Sequence, residues 1–228
     1  LYLCDRALRE GLVLEALGAP ATEVPVAGEV RRRQIHDLAS RAPGMLAHAQ
    51  QVERLAVRLF DLTAPVHNLG AREREWLEFA ALLHDIGHSI HFERHHKHSH
   101  YLITTADLDG FDPREIEVIA EVARYHRGAP PRDRHASFAA LRSWQKHTIE
   151  KLTALLRVAN ALDCTHATRV VELYASLKER RELQVEVLSP FDVDLELQAA
   201  RQRGRFFERV FGRRLTFRQG LRRPSRRR

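Results

Sequence analysis

Cysteine is nearly absent from this sequence: Cys4 and Cys164 are the only two among 228 residues. Two distant cysteines cannot make a disulfide framework or a thiolate zinc site, and they suit a reducing compartment. No apolar run is long enough to cross a bilayer, so no membrane partner is expected. The opening Leu1-Tyr2-Leu3-Cys4-Asp5 has neither the basic start nor the apolar stretch of a secretory signal, which points to a cytoplasmic protein. There is no Gly-rich phosphate loop, no Gly-x-Ser-x-Gly elbow and no Cys/His nucleophile pair, so three common catalytic designs are set aside. An initiating methionine is also missing, which suggests a piece of a longer chain whose remainder would lie on the N-terminal side.

What is present is an ordinary soluble composition, 44% hydrophobic and 29% charged, enough to bury a core and too apolar for a disordered chain. The net charge is +7, but Arg222, Arg223, Arg226, Arg227 and Arg228 supply five of those charges, and the body is nearly balanced. Such a tail reads as a solvated end; charge alone gives only non-specific, salt-sensitive association, so nucleic acid is not the expected partner.

Residues 1–28 read as a short strand, a turn, a helix and an Ala/Pro/Val/Gly linker. From 29 to about 180 the apolar spacing is helical almost throughout, with helices expected near 30–40, 45–62, 71–86, 95–106, 113–126, 135–163 and 166–178. Asp112-Pro113-Arg114-Glu115 carries an N-cap acid, a proline at the first helical position and an acid at the third, and Gly87 after Ile86 is a natural stop. Across 181–218 the texture changes. Leu183, Val185 and Val187 alternate with polar residues, as do Val193, Leu195 and Leu197, with Ser189-Pro190 between, which predicts a hairpin. A helix through 198–211 and a strand at 214–217 follow, and 219–228 is the basic tail. The expected fold is mainly α: a helical bundle with a small C-terminal α+β appendage.

Fourteen histidines is a high count, and several of them lie on apolar stripes. His48 shares a face with Val52, Leu55 and Leu59; His84 follows Leu77 and Ala80, with Asp85 beside it; Asp163 follows Leu152, Leu156 and Ala159. An ionised carboxylate taken from water must be paired or coordinated. Together His48, His84, Asp85 and Asp163 offer nitrogen and oxygen donors that suit a divalent ion such as zinc, manganese, iron or magnesium. Each residue alone could be an ordinary hydrogen-bonded core residue; the joint pattern carries the reading. A second group is Arg94-His95-His96-Lys97-His98-Ser99-His100, where His95 and His98 stack below Leu102, while His126 lies on the stripe of Ile119 and Ala123. His95 and His126 could hold a second metal beside the first, an arrangement that clamps attacking and leaving oxygens in phosphoryl chemistry. Arg94, Lys97, His98, Arg124 and Arg127 surround these histidines as candidate phosphate contacts, because a guanidinium fork matches phosphate oxygens.

The stretch Ala80-Ala81-Leu82-Leu83-His84-Asp85-Ile86-Gly87-His88, followed by His95-His96-Lys97-His98-Ser99, Asp109-Gly110-Phe111, Glu115-Ile116 and Arg124-Tyr125-His126-Arg127, closely resembles the C-terminal half of the exopolyphosphatase / guanosine pentaphosphate phosphohydrolase family. Leu155-Leu156-Arg157-Val158-Ala159-Asn160-Ala161-Leu162-Asp163 matches as well, and Ala7-Leu8-Arg9-Glu10-Gly11 looks like the junction where the family's actin-like catalytic portion ends. The resemblance implies an HD-type helical metal-binding domain, with His48, His84, Asp85 and Asp163 as ligands and His95 as the extra ligand of dinuclear relatives. It further implies polyphosphate or a phosphorylated nucleotide as substrate. Asp85, His88 and Arg127 are the expected catalytic residues: Asp85 at the metal, Arg127 stabilising developing charge, His88 protonating the leaving oxygen. A separate actin-like catalytic subunit and a homodimer are compatible partners. The alternative is a non-catalytic polyphosphate- or nucleotide-binding module.

Overall fold

The computed structural model describes residues 27–178 and 181–220. The expected N-terminal remnant, with Cys4 and Arg9-Glu10-Gly11, and the arginine tail lie outside the described residues. Helices α1 (Ala27–Ala39), α2 (Leu46–Leu62), the short α3 (Ala64–His67), α4 (Ala71–Leu83), α5 (His95–Thr104), α6 (Pro113–Arg124), the short α7 (Ala136–Ala139) and α8 (Ser143–Ala161) form the bundle. Then come β1 (Glu172–Lys178), β2 (Glu182–Leu188), α9 (Asp194–Phe211) and β3 (Arg214–Gly220). The fold is mainly α with a small α+β appendage, as the periodicity predicts. Among the described residues no helix is long and apolar enough to cross a membrane.

α2 lies at the centre, packed on α4 and α8, because Val52, Leu55, Ala56 and Leu59 make one fully apolar face. α6 packs against α4, α5 and α8 through Val118, Ile119, Val122 and Ala123. Its start is held as the sequence predicts: the Arg114 N–H donates to Asp112 Oδ1 at 2.8 Å and the Asp112 N–H to Glu115 Oε2 at 2.9 Å.

Three local expectations are corrected. Residues 166–178 are not a helix: His166 and Thr168 take positive φ, which breaks any helical run, and the chain then extends as β1. The hairpin partner of β2 is therefore β1, antiparallel with Leu173 opposite Val187. The run Val193, Leu195, Leu197 is the start of α9. Val193 and Leu197 are buried one turn apart while Leu195 is 60% exposed, so the alternation served a helical face. The expected long helix over 135–163 divides into α7 and α8, with extended Arg142 between them, and Asp163 falls just beyond the end of α8.

β2 is the middle strand, and β3 joins it in parallel with Phe217 beside Val185. α9 is the crossover between them, the type of connection parallel neighbours require. It packs on β3 and also on α8, so the appendage is joined to the bundle along α8. Gly204 lets α9 approach the sheet, since a Cβ there would lie 3.2 Å from Leu215 Cδ2.

On the face away from the histidines, Glu115 ties α6 to α1 and α4. It is buried and accepts hydrogen bonds from Arg31 Nη1 at 3.1 Å and from the Trp76 indole N–H at 3.1 Å. Burial by itself would raise the Glu115 pKa, but the bonds from Arg31, the Asp112 amide and Trp76 outweigh it and hold the carboxyl below its ordinary 4.5. A carboxyl depressed by folding stabilises fully above that ordinary value and loses its contribution as pH falls below it. Glu115→Gln is expected to cost about 2 kcal/mol at neutral pH and to flatten the acid limb of the stability profile below pH 4.5, read by urea unfolding as a function of pH.

Candidate metal centre

The His84-Asp85 turn is set by a close approach of two backbones. α4 ends at Leu83, and the chain passes through His84 and Asp85 into a tight 3-10 turn over Ile86–Ser89. Gly87 lies against the first turn of α5, where a Cβ would be driven into the His95 carbonyl and the Ser99 amide. Fully buried Ser99 joins the two segments: its Oγ accepts from the Gly87 N–H at 2.9 Å and donates to the His84 carbonyl at 2.7 Å. The same contact therefore brings His95, the first residue of α5, beside Asp85.

Around Asp85 the imidazoles are oriented alike. Nδ1 of His84 is 2.7 Å from the Ala81 carbonyl, Nδ1 of His126 is 2.7 Å from the Ala123 carbonyl, and Nδ1 of His95 is 3.0 Å from the Phe92 carbonyl. A carbonyl can only accept, so each of these Nδ1 atoms carries a proton, and Nε2 is the ligand atom of the neutral ring. Those Nε2 atoms face the Asp85 carboxylate: His84 lies 3.4 Å from Oδ2, and His95 and His126 lie 3.2 and 3.4 Å from Oδ1. His48 Nε2 is 3.8 Å and His88 Nε2 3.9 Å from Oδ2. Two overlapping groups, His48–His84–Asp85 and Asp85–His88–His95, each have ligand atoms within 4.8 Å of one another. Metal-binding histidines are commonly held in this way, with the second ring nitrogen bonded to a backbone carbonyl or a carboxylate.

The electrostatics favour the ligand-ready forms. Burial pushes His84 down to about 4 and His126 well below its ordinary value, so both are neutral at neutral pH. Burial works against ionisation of Asp85, and neutral imidazoles whose lone pairs face the carboxylate do not offset that cost. Buried His84 Nε2 and Asp85 Oδ1 make no hydrogen bond among the described residues. Orphaned buried acceptors are costly, and a divalent cation between them would satisfy both. The donor set and these orphaned atoms fit a metal ion.

Asp163 is placed differently from the sequence reading. It is buried, but Oδ2 is 2.7 Å from His48 Nδ1 and Oδ1 accepts from the Thr168 N–H at 2.8 Å. The carboxylate thus stands behind His48, outside the group of atoms around Asp85. The proposed phosphate contacts also divide. Arg127 lies over the His95 ring, with Nη1 3.3 Å from both ring nitrogens, and borders a cavity of about 320 Å³ that Asp85, His88, His95 and His126 also line. Arg124 is engaged by Ser137 at 2.6 Å and by Glu121 at 3.5 Å, and neither it nor Arg94, Lys97 or His98 borders that cavity. Three further residues lie at the site without a signal in the local pattern. His166 stacks on His48 at 3.7 Å, Asn160 Oδ1 is 3.1 Å from His48 Nε2, and Arg157 lines the cavity from α8. His166 sits on a turn with no apolar stripe to mark it.

Fold and site together define a helical domain with a buried histidine–aspartate centre opening onto an arginine-bordered cavity. The model of the Ppx/GppA phosphatase family's domain III matches residues 30–201, and the chain belongs to that family.

Gly87→Ala is expected to cost roughly 3 kcal/mol, because the added methyl meets backbone that cannot yield. Ser99→Ala should cost about 2 kcal/mol by leaving the Gly87 N–H and the His84 carbonyl unpaired. Both are measured by denaturant unfolding, and both should lower the metal content of purified protein.

Proposed function

We propose that this chain is a metal-dependent phosphohydrolase domain acting on polyphosphate or a phosphorylated nucleotide. One observation carries the reading: backbone-braced imidazoles converge on a buried carboxylate whose cavity is bordered by arginine. His48, His84 and Asp85 would hold one divalent ion, and Asp85, His88 and His95, with His126, a second. The nitrogen-rich set suits zinc, iron or manganese better than magnesium. When bound, such an ion supplies Lewis acidity toward a phosphoryl oxygen and lowers the pKa of water at the site.

The protein's own groups supply positioning. Asp163, hydrogen-bonded to His48 Nδ1, turns the opposite edge of that ring toward Asp85 and acts as a positioning residue. Arg127, exposed at the cavity wall, meets the phosphoryl oxygens as charge develops on them. His88 stands on the same wall, within reach of a leaving oxygen as well as of a metal. A non-catalytic polyanion-binding module would draw on the same arginines, and it predicts binding that survives a chelator together with no hydrolysis by metal-loaded protein.

Phosphate release from polyphosphate and guanosine pentaphosphate, with and without chelator, tests the reading. Asp85→Ala should lower the rate about a hundredfold or more, and Asp163→Asn by roughly ten- to a hundredfold with reduced metal content. Metal-loaded wild-type protein that releases no phosphate from either substrate would sink the catalytic proposal.

A further inference from the structure

Arg157 is a buried cation without an acid. It projects from α8 with 6% of its surface exposed, and its Nη1 and Nη2 donate to the carbonyls of Tyr125 at 2.9 Å and Gly128 at 3.1 Å. Among the described residues its buried Nε–H has no acceptor and no carboxylate pairs with it. The charges near it are of its own sign: burial first, then Arg203 and Arg209, push its pKa down to about 10. Two carbonyls could be held by a neutral donor at lower cost, because a buried charge is unfavourable unless an opposite charge meets it.

The cavity shows where such a charge could come from. Arg157 lines it on the side of α9, where Arg203 and Gln202 face it, while Arg127 borders it beside the histidines. Asp85 is the one carboxylate lining this cavity among the described residues, and none of Arg127, Arg157 and Arg203 forms an ion pair there, so the wall carries more guanidinium groups than acids. One of them stands by the proposed metal ligands and two stand with the α8–α9 wall, a spread suited to an extended polyanion.

We propose that Arg157 and Arg203 form a second anion subsite, which holds a phosphate of a condensed-phosphate chain while a linked phosphate lies at the Asp85 centre. This rests on the phosphohydrolase reading of that centre and adds to it a requirement for at least two linked phosphates. The packing of α9 on α8 brings Arg203 to the cavity. Arg157 also holds the carbonyls on either side of His126 and Arg127, so occupation of the subsite is coupled to the loop that carries both.

Calorimetric titration of the whole chain with tripolyphosphate and with orthophosphate, in the presence of chelator, tests the proposal. Wild type should bind tripolyphosphate more tightly than orthophosphate, and Arg203→Gln should weaken tripolyphosphate about tenfold, the effect of losing one charge-assisted contact. Arg157→Lys should weaken it similarly, since a point charge does not reproduce the fork; if that variant unfolds, half-exposed Arg203, which braces nothing in the core, still decides. Equal binding of tripolyphosphate by wild type and Arg203→Gln, or no preference of wild type for tripolyphosphate, overturns the subsite. Hydrolysis separates this from the underlying reading. Normal binding by Arg203→Gln alongside loss of hydrolysis in Asp85→Asn removes the subsite and leaves the phosphohydrolase standing. Weakened binding by Arg203→Gln alongside hydrolysis unaffected by Asp85→Asn keeps the anion site and removes the catalytic role of Asp85.

Discussion

The burial of one carboxylate among imidazoles governs this structure. Asp85 is withdrawn from water into a helical core, and an isolated charge there would be prohibitive. The fold surrounds it with nitrogen atoms from four segments: the first turn of α2, the end of α4, the start of α5 and the end of α6. Each segment is otherwise apolar on the face that points inward, so hydrophobic packing places the polar atoms, and the polar atoms constrain how the packing can vary. Buried polar centres of this kind are tolerated when every member has a partner. Here His84 Nε2 and Asp85 Oδ1 have none among the described residues, which is the strongest physical argument that a cation belongs between them.

The surrounding contacts preserve orientation. Backbone carbonyls of Ala81, Phe92 and Ala123 hold three Nδ1 atoms, and Asp163 holds the fourth ring, that of His48, so the freedom of each imidazole is removed before any ligand binds. Ser99 and Gly87 do the same for the backbone by locking the 3-10 turn to α5. A site assembled from rigid helix ends retains its geometry better than one built on loops. The opposite wall comes from α8 and α9, and each brings an arginine, Arg157 and Arg203, in place of a ligand.

Much of this was legible in the sequence because side-chain direction follows from local periodicity. The helical stripes correctly turned His48, His84, His95 and His126 inward, and the Asp112–Glu115 capping box located the start of α6. The pattern failed where two periodicities coincide over a few residues. Val193, Leu195 and Leu197 satisfy a strand's alternation and, through Val193 and Leu197, a helix's turn; only the neighbouring sheet selects the helix. Residues 166–178 looked helical because nothing local announces that His166 and Thr168 adopt positive φ, a conformation imposed as the chain turns back from α8 to the sheet.

Spacing along single helices was enough to set the class of fold, the inward-facing histidines and the carboxylate they must accompany. It took the packed molecule to show that Asp163 stands behind His48, that His166 stacks on the same ring, and that Arg127, Arg157 and Arg203 share one cavity while Arg124 is taken up by Ser137 and Glu121. The physical reason is that pairing depends on distances between segments remote in sequence. Whether a buried charge is matched or left alone is settled only when those segments have packed.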